Sequence, residues 1–205
     1  MYVELKNINK TFGDYKASDN VNFGIEKGRL IGLLGPSAVI AVYPFTPQPA
    51  ITQAILSVSE VPVFAGVGGG LTNGQRSASI AAYAEHEGAF GLVCNAFITE
   101  EAIRAIKETV EIPLVYTVVS EQADVAGKLA AGVDFLNVSG AARTPEIVAH
   151  IREIFPEVPI IATGGPTDDT IRATIEAGAN AITYTPPTSA ELFAESMRKY
   201  RGKFA

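Results

Sequence analysis

Residues 158–185 read VPIIATGGPTDDTIRATIEAGANAITYT, and this stretch indicates the fold. Two short runs rich in apolar and β-branched residues, Ile160–Thr163 and Ala181–Thr185, flank a segment that begins near Thr167 and ends at Gly178. A hydroxyl side chain at the start, acidic residues in the first turn and a glycine at the end are typical of a helix. The stretch therefore predicts a strand, a helix and a second strand parallel to the first.

The same arrangement recurs twice upstream of this stretch. The equivalent positions are Pro62, Pro113 and Pro159 at the strand starts and Gly88, Gly132 and Gly178 at the helix ends. A recurrence at about 46 residues predicts three βαβα quarters, which begin near residues 61, 112 and 158. Because four such quarters close an eight-stranded parallel barrel, the repeat favours a barrel over an open doubly wound sheet.

Seven strand-like runs alternate with helical segments between residues 38 and 205. The predicted strands are Ala38–Tyr43, Val61–Gly66, Gly91–Asn95, Leu114–Val119, Asp134–Val138, Ile160–Thr163 and Ala181–Thr185. A helix is predicted over Pro49–Val58, and further helices are predicted to be capped by Thr99, Thr144 and Thr167. The predicted fold class is α/β: a (β/α) TIM-type barrel with about seven regular βα units, in which an atypical N-terminal β segment replaces the first unit. The predicted domains are 1–37 and 38–205.

Composition narrows the class of protein. The chain has 205 residues, 47% of them hydrophobic, and a net charge of −6, which argues against disorder and against a nucleic-acid partner. One cysteine and no long apolar run predict a cytoplasmic protein without membrane insertion. The chain is shorter than the roughly 250 residues typical of a complete barrel. An incomplete barrel exposes a sheet edge, so a homo-oligomer through that edge is expected.

Residues 1–37 carry motifs of another kind. The motifs are Tyr2–Asn7, Lys10–Gly13, Asn20–Gly28 and Ile31–Ser37. Within this segment, apolar and polar residues alternate over Tyr2–Asn7 and Asn20–Ile25, which predicts two strands, and the apolar run Leu30–Leu34 predicts a short third strand. These motifs resemble the opening of an ABC-transporter ATP-binding domain. The resemblance implies that Phe12 stacks on adenine and that Gly35 begins the Walker A phosphate loop. After Ser37, however, the glycine, lysine and Mg²⁺-binding hydroxyl of that loop are absent, so the segment is interpreted as truncated and non-functional, and ATP hydrolysis is not expected.

Strand ends are where a β/α barrel places its active site. The predicted strand ends here are rich in hydroxyl and amide side chains, and they lack the lysine that a Schiff-base aldolase needs and the acidic or histidine cluster that a metal needs. No metal and no cofactor are therefore expected. Asn95, Tyr116 and Asn137 are predicted to orient a reacting carbonyl, and the alternative is that they are polar residues that fill the barrel mouth.

Two glycine-rich turns are candidates for binding an anion. In the first, Gly164 and Gly165 precede a helix N-terminus, whose free N–H groups attract negative charge. This turn resembles that of the phosphate-binding (β/α)₈ barrels, such as keto-deoxy-phosphogluconate aldolases and thiamine-phosphate-synthase-like enzymes. The resemblance implies that a second loop, with Thr188 and Ser189, completes the site. The alternative is a tight turn with a helix cap.

The second turn is Gly66–Gly74, in which Gly68 and Gly69 are the candidate anion ligands. A flexible loop without function is the alternative there. Together these features predict a small-molecule enzyme of the aldolase, lyase or isomerase sort that binds a phosphorylated or carboxylated metabolite. Two further hypotheses stay open: a non-catalytic metabolite-binding barrel, and an ABC-transporter ATP-binding fragment by N-terminal resemblance only.

Overall fold

The computed structural model describes residues 3–12, 15–25, 37–42, 46–183 and 198 of the chain. Contacts between Cα atoms divide the chain into two units, Met1–Ser37 and Ala38–Ala205. The predicted strand Leu30–Leu34 lies outside the described residues, as do the predicted anion ligands Thr188 and Ser189. None of the described helices is long and apolar enough to cross a membrane.

The first unit contains two antiparallel strands, β1 (Val3–Phe12) and β2 (Tyr15–Ile25). Their register pairs Val3 with Ile25 at one end and Phe12 with Tyr15 at the other, and it shifts three times in between. Both strands are longer than the alternating patterns Tyr2–Asn7 and Asn20–Ile25 predict, because the pairing continues into polar sequence beyond those patterns. The segment is thus a β segment, as predicted.

The second unit alternates parallel strands with helices. The strands are β3 (Val39–Ala41), β4 (Val63–Gly68), β5 (Gly91–Cys94), β6 (Leu114–Val118), β7 (Phe135–Val138), β8 (Ile160–Thr163) and β9 (Ala181–Thr183). The helices are α1 (Pro49–Val58), α2 (Gln75–His86), α3 (Glu100–Lys107), α4 (Val125–Ala131), α5 (Thr144–Ile154) and α6 (Asp168–Glu176), with a 3₁₀ turn, η1 (Ala141–Arg143), before α5. The seven strands pair in chain order from β3 to β9. This confirms the predicted α/β fold of the TIM-barrel type.

Helix starts follow the predicted caps in two of three cases. The Thr99 hydroxyl accepts a hydrogen bond from the Ala102 N–H at 3.2 Å and caps α3. Thr167 caps α6 through a reciprocal capping box with Thr170. The prediction that Thr144 caps α5 is wrong: Thr144 is the first residue of the helix, and its hydroxyl accepts from the Gly140 N–H at 3.0 Å. The preceding 3₁₀ turn leads the chain into the helix one residue early.

One face of the sheet is buried from β4 to β8, whereas the other is mostly buried in β4, β5 and β6 and only partly buried in β7 and β8. The first of these faces packs on the helices: Leu92, Leu114 and Leu136 belong to one buried cluster with helix residues such as Ala81 and Ile103. The opposite face, here called the inner face, has an apolar layer formed by Phe64, Val93 and Val115 with Ile40 and Phe135 against them. Since successive side chains of a strand point to opposite faces, residues two positions beyond this layer also lie on the inner face, nearer the carboxyl ends of the strands.

Candidate functional site

Four hydroxyl and amide side chains form a row at the carboxyl ends of β6, β7 and β8. Thr117 and Asn137 are partners in the β6–β7 register, and Asn137 Nδ2 donates to Thr117 Oγ1 at 3.3 Å. The Thr163 hydroxyl donates to Ser139 Oγ at 3.2 Å. Thr117 and Asn137 come two residues after Val115 and Phe135, so they lie directly beyond the apolar layer of the inner face. Thr117, Asn137, Ser139 and Thr163 are called the polar row below.

The polar row is neutral and has both donors and acceptors. The Asn137 amide has two N–H groups and an oxygen, of which one N–H is used by Thr117, and each hydroxyl can donate and accept. Such groups can bind a carbonyl or carboxylate oxygen and orient it. The sequence predicted that Asn137, together with Ser139 and Tyr116, hydrogen-bonds a substrate, and it placed Thr117 and Thr163 at strand ends without a role, because pairing across strands is visible only in the register.

Asn95 lies at the same edge of the sheet as the polar row. It directly follows β5, and its backbone N–H donates to the Gly68 carbonyl at 2.8 Å. Asn95 is two residues after Val93 of the inner face and one residue beyond the end of β5. The structure therefore brings Asn95 and Asn137 to the same edge of the sheet, at the carboxyl ends of β5 and β7.

Tyr116, the third predicted catalytic residue, is on the other face. It is only 3% exposed and belongs to the core between the sheet and the helices, with Leu114 and Val118 of the same strand. Its hydroxyl donates to the Ala96 carbonyl at 3.2 Å, and the Lys128 ammonium of α4 is 5.9 Å from the centre of its ring. Burial is the main cause that raises the pKa of Tyr116. The structure thus separates Tyr116 from Asn137, which pairs with the next residue along β6.

Gly68 and Gly69 allow the loop after β4 to pack tightly. Both have a positive φ, 107° and 109°, and a Cβ on Gly69 would lie 2.9 Å from the Asn95 backbone nitrogen. The Gly69 N–H donates to the Thr72 carbonyl at 2.7 Å, and Gly68 accepts from Asn95. The Thr72 hydroxyl also donates to the Thr46 hydroxyl at 3.0 Å. Loop closure therefore accounts for these glycines, and the N–H of Gly69 is already bonded within the loop.

Gly164 and Gly165 have comparable structural roles. The Gly164 N–H donates to the Thr183 carbonyl at 3.0 Å, so it belongs to the pairing of β8 with β9. A Cβ on Gly165 would lie 2.6 Å from Thr170 Oγ1, the hydroxyl that completes the capping box of α6. The first turn of α6 also contains Asp168 and Asp169, whose carboxylates occupy the positive end of the helix dipole. These features match the alternative of a tight turn with a helix cap.

An ion pair joins the loops that follow β6 and β7. Arg143 donates from Nη2 to a carboxylate oxygen of Glu121, and from Nε to Glu146 at 3.2 Å. These hydrogen bonds and the two negative charges raise the pKa of Arg143, with the bond to Glu146 the largest cause. Sequence reasoning missed Glu121, whose one signal is an acidic residue in the loop after a predicted strand.

The described residues offer neither a cluster of metal ligands nor a reactive thiol. Within them, no group of three or more histidine, cysteine, aspartate and glutamate residues could hold a metal ion. Cys94 is fully buried on the helix-facing side of β5, and burial raises the pKa of its thiol to about 12. The thiol is therefore protonated near neutral pH and is a poor nucleophile.

Comparison with solved structures shows where this fold occurs. A protein described as "QR15, an Aldolase" is 21% identical, with a TM-score of 0.56 over 71% of this chain and 74% of its own. Phosphonopyruvate hydrolase is 17% identical, with a TM-score of 0.57 over 76% of this chain and 64% of its own. Phosphoenolpyruvate phosphomutase from Streptomyces platensis subsp. rosaceus is 15% identical, with a TM-score of 0.55 over 75% and 64%. At these identities the likeness is one of fold: the second unit has a fold of the TIM-barrel type.

Sequence comparison gives a separate result for a short segment. Over 35 residues the chain is 49% identical to the "Probable multidrug ABC transporter ATP-binding protein YbhF" of Escherichia coli, and over 37 residues it is 49% identical to the sulfate/thiosulfate import ATP-binding protein CysA of Pectobacterium atrosepticum. These matches cover 17% and 18% of this chain, but only 6% and 11% of those proteins. They confirm the resemblance of the N-terminal segment to ABC ATP-binding proteins. No protein-family model matches the sequence.

Proposed function

We propose that residues 38–205 form a small-molecule enzyme of the TIM-barrel aldolase, lyase or isomerase sort. The observation that carries this proposal is the polar row, which lies at the carboxyl ends of three adjacent strands. That is the position where TIM-barrel enzymes have their active sites. The substrate is a small metabolite with a carboxylate or phosphate group, in keeping with the phosphonopyruvate and phosphoenolpyruvate in the names of two proteins of similar fold.

Asn137 and Asn95 act in this proposal by binding and orienting the reacting carbonyl. Donors fixed before the reaction stabilise charge that develops on an oxygen without having to reorganise. The bond from Asn137 to Thr117 fixes the amide plane, which leaves the second N–H of Asn137 for a ligand. Glu121 is the acid–base candidate, because it lies in the loop after β6, the strand that also contains Thr117.

The anion group of the substrate has two proposed positions. The predicted site at Gly164 and Gly165 depends on Thr188 and Ser189, since the Gly164 N–H is already bonded to Thr183. Arg143 offers a cation in the 3₁₀ turn that follows β7, although two carboxylates bond to it. Residues 1–37 are proposed to be a truncated ATPase-like segment without ATPase activity.

Ligand binding and turnover test this proposal together. Phosphate, oxalate and phosphonopyruvate are titrated into the full chain by calorimetry, and thermal unfolding is followed with each. We expect at least one to bind and to raise the melting temperature, and we expect Asn137→Ala to weaken that binding about tenfold, because one to two hydrogen bonds are lost. Thr109→Ala is the control, since that exposed hydroxyl donates only to the Ala105 carbonyl of its own helix region.

A non-catalytic metabolite-binding barrel is the second candidate function. The observation that favours it is the absence of charge at the inner-face strand ends of β5 to β8 among the described residues, where the side chains are those of Asn95 and the polar row. A ligand that binds tightly without being converted in turnover assays would select this candidate. If no member of a broad set of carboxylated and phosphorylated compounds binds, both candidates are wrong.

A further inference from the structure

Four exposed apolar side chains lie at the carboxyl ends of four neighbouring strands. They are Val42 after β3, Leu71 after β4, Phe97 after β5 and Val119 after β6, exposed by 49%, 86%, 80% and 48%. Among residues 37–42 and 46–183, Leu71 and Phe97 are the two most exposed large hydrophobic residues. Because β3 to β6 are adjacent in the sheet, these four residues follow one another around the edge. They are called the apolar arc below.

The apolar arc is held in place by hydrogen bonds between its loops. Asn73 Nδ2 donates to the Phe97 carbonyl at 3.4 Å, and the Thr72 hydroxyl donates to the Thr46 hydroxyl at 3.0 Å. These bonds join the loops after β3, β4 and β5 on either side of Leu71. Exposed apolar side chains that gather at one edge of a sheet, as these four do, are a candidate surface for binding a ligand.

The apolar arc is continuous with the polar row. Val119 follows Thr117 by two residues, so both are on the inner face at the end of β6. Val42 also contacts the inner face, because a Cβ on Gly66 would lie 3.3 Å from Val42 Cγ1. From β3 to β6 the edge therefore carries the four exposed apolar side chains beside Asn95, and from β6 to β8 it carries the polar row. With strands about 4.8 Å apart, the apolar part extends about 14 Å.

We propose that the apolar arc binds an apolar substituent of the same small molecule whose carbonyl or carboxylate the polar row binds. This inference rests on the proposed function, and it narrows the substrate to a carboxylate or 2-oxo acid with an aromatic or branched aliphatic group. A ligand that carried only the polar group would leave Leu71 and Phe97 in water. A ligand with both groups removes apolar surface on both sides from water, which is the main source of affinity for such a site.

Two 2-oxo acids that differ only in their apolar group test the inference. Pyruvate and phenylpyruvate are titrated into the full chain by calorimetry. We expect phenylpyruvate to bind about tenfold or more tightly, because the ring is buried against the arc. Equal affinities for the two acids would overturn the inference while leaving the proposed function intact. If neither acid binds and no other small carboxylate or phosphate does, the proposed function itself is wrong.

Variants test whether the difference in affinity between the two acids comes from the apolar arc. In the Leu71→Ser, Phe97→Ser double variant the ratio of the two affinities is expected to fall towards one, with the affinity for pyruvate unchanged. Val58→Ser is the matched control, since Val58 is 79% exposed but lies at the carboxyl end of α1. An unchanged ratio in the double variant overturns the inference. So does a change in mass in solution with unchanged affinities, because the arc would then be an interface between copies of the chain.

Discussion

Asp134 and Asn180 have equivalent contacts in two successive quarters of the barrel. Asp134 Oδ2 accepts from the Leu114 N–H at 2.8 Å, and Asn180 Oδ1 accepts from the Ile160 N–H at 2.8 Å. In both quarters the acceptor is separated by 20 residues from the donor that begins the neighbouring strand, and the two acceptors are 46 residues apart. A side-chain oxygen thus fixes the start of one strand to the start of the next.

Each of these two oxygens also accepts a hydrogen bond from a cation on the helix that precedes the neighbouring strand, α3 before β6 and α5 before β8. Lys107 Nζ is 3.0 Å from Asp134 Oδ2, and Arg152 Nη2 is 2.9 Å from Asn180 Oδ1. A Cβ on Gly132 would lie 2.9 Å from Lys107 Cγ, and a Cβ on Gly178 would lie 3.2 Å from Arg152 Cγ. Gly132 and Gly178 therefore each do two things: they allow the positive φ at the helix end, and they leave room for the stem of the cation.

Removal of the Asp134 carboxylate should destabilise the fold. Asp134→Ala leaves the part-buried Leu114 N–H without its acceptor, so we expect the free energy of unfolding to fall by about 1 to 2 kcal/mol. Urea unfolding measures this change. Asp134→Asn is the control, because the equivalent Asn180 shows that an amide oxygen can accept both bonds. If the alanine and asparagine variants lose the same stability, the acceptor is not what matters.

A side chain at Gly132 should be costly for two reasons. Its φ is 118°, where residues other than glycine are strained, and the added Cβ would lie 2.9 Å from Lys107 Cγ. We expect Gly132→Ala to lower the free energy of unfolding by about 1 to 3 kcal/mol. Gly70→Ala is the matched control, since a Cβ there meets nothing within 4 Å and its φ is not positive. Equal losses in the two variants would contradict this account.

The recurring prolines and glycines made much of the fold predictable from the sequence. Helix α1 has the predicted bounds, Pro49–Val58, and β8 has the predicted bounds, Ile160–Thr163. It was harder to predict which residues of a strand point to the inner face and which to the helices. In β6 both faces are buried, so LVYTV contains no alternation that shows whether Tyr116 or Thr117 faces inward. Contacts between separate loops, such as that of Glu121 with Arg143, leave no pattern in a single sequence.

Cys94 should make stability depend on pH in the alkaline range. Burial raises the pKa of its thiol from the ordinary value of 9.0 to about 12, so the folded chain holds this proton where the unfolded chain releases it. The stabilisation is therefore complete below pH 9 and is lost as the pH rises from 9 towards 12, with a slope of about 1.4 kcal/mol per pH unit. Unfolding of the wild type and of Cys94→Ala in urea between pH 8 and 11 measures the difference. Parallel pH profiles would contradict the expected role of this thiol.

The edge strands of the sheet should mediate self-association. Within the described residues β3 pairs only with β4, and β9 pairs only with β8. We expect light scattering to show a homo-oligomer, and we expect Val39→Lys on β3 to shift it towards the monomer, because a lysine blocks pairing at an edge. Val58→Lys is the control, since Val58 is exposed at the end of α1 and belongs to no strand. A wild-type monomer at all concentrations would contradict this prediction.

Comparison with Glu100 tests whether Glu121 has a catalytic role in addition to its ion pair with Arg143. The two pairs are similarly exposed: the side chains of Arg143 and Glu121 by 56% and 29%, those of Arg104 and Glu100 by 52% and 32%. Glu121→Gln and Glu100→Gln should therefore change the free energy of unfolding by similarly small amounts.

Turnover should distinguish the two variants. A residue that transfers a proton in the transition state contributes roughly a hundredfold or more to kcat, so we expect Glu121→Gln to lose about that factor while Glu100→Gln retains wild-type activity. The affinity for oxalate should be little affected in both, because the amide keeps the shape of the carboxylate. If kcat is the same in both variants, the Glu121 carboxylate only holds Arg143, and the proton acceptor is another residue.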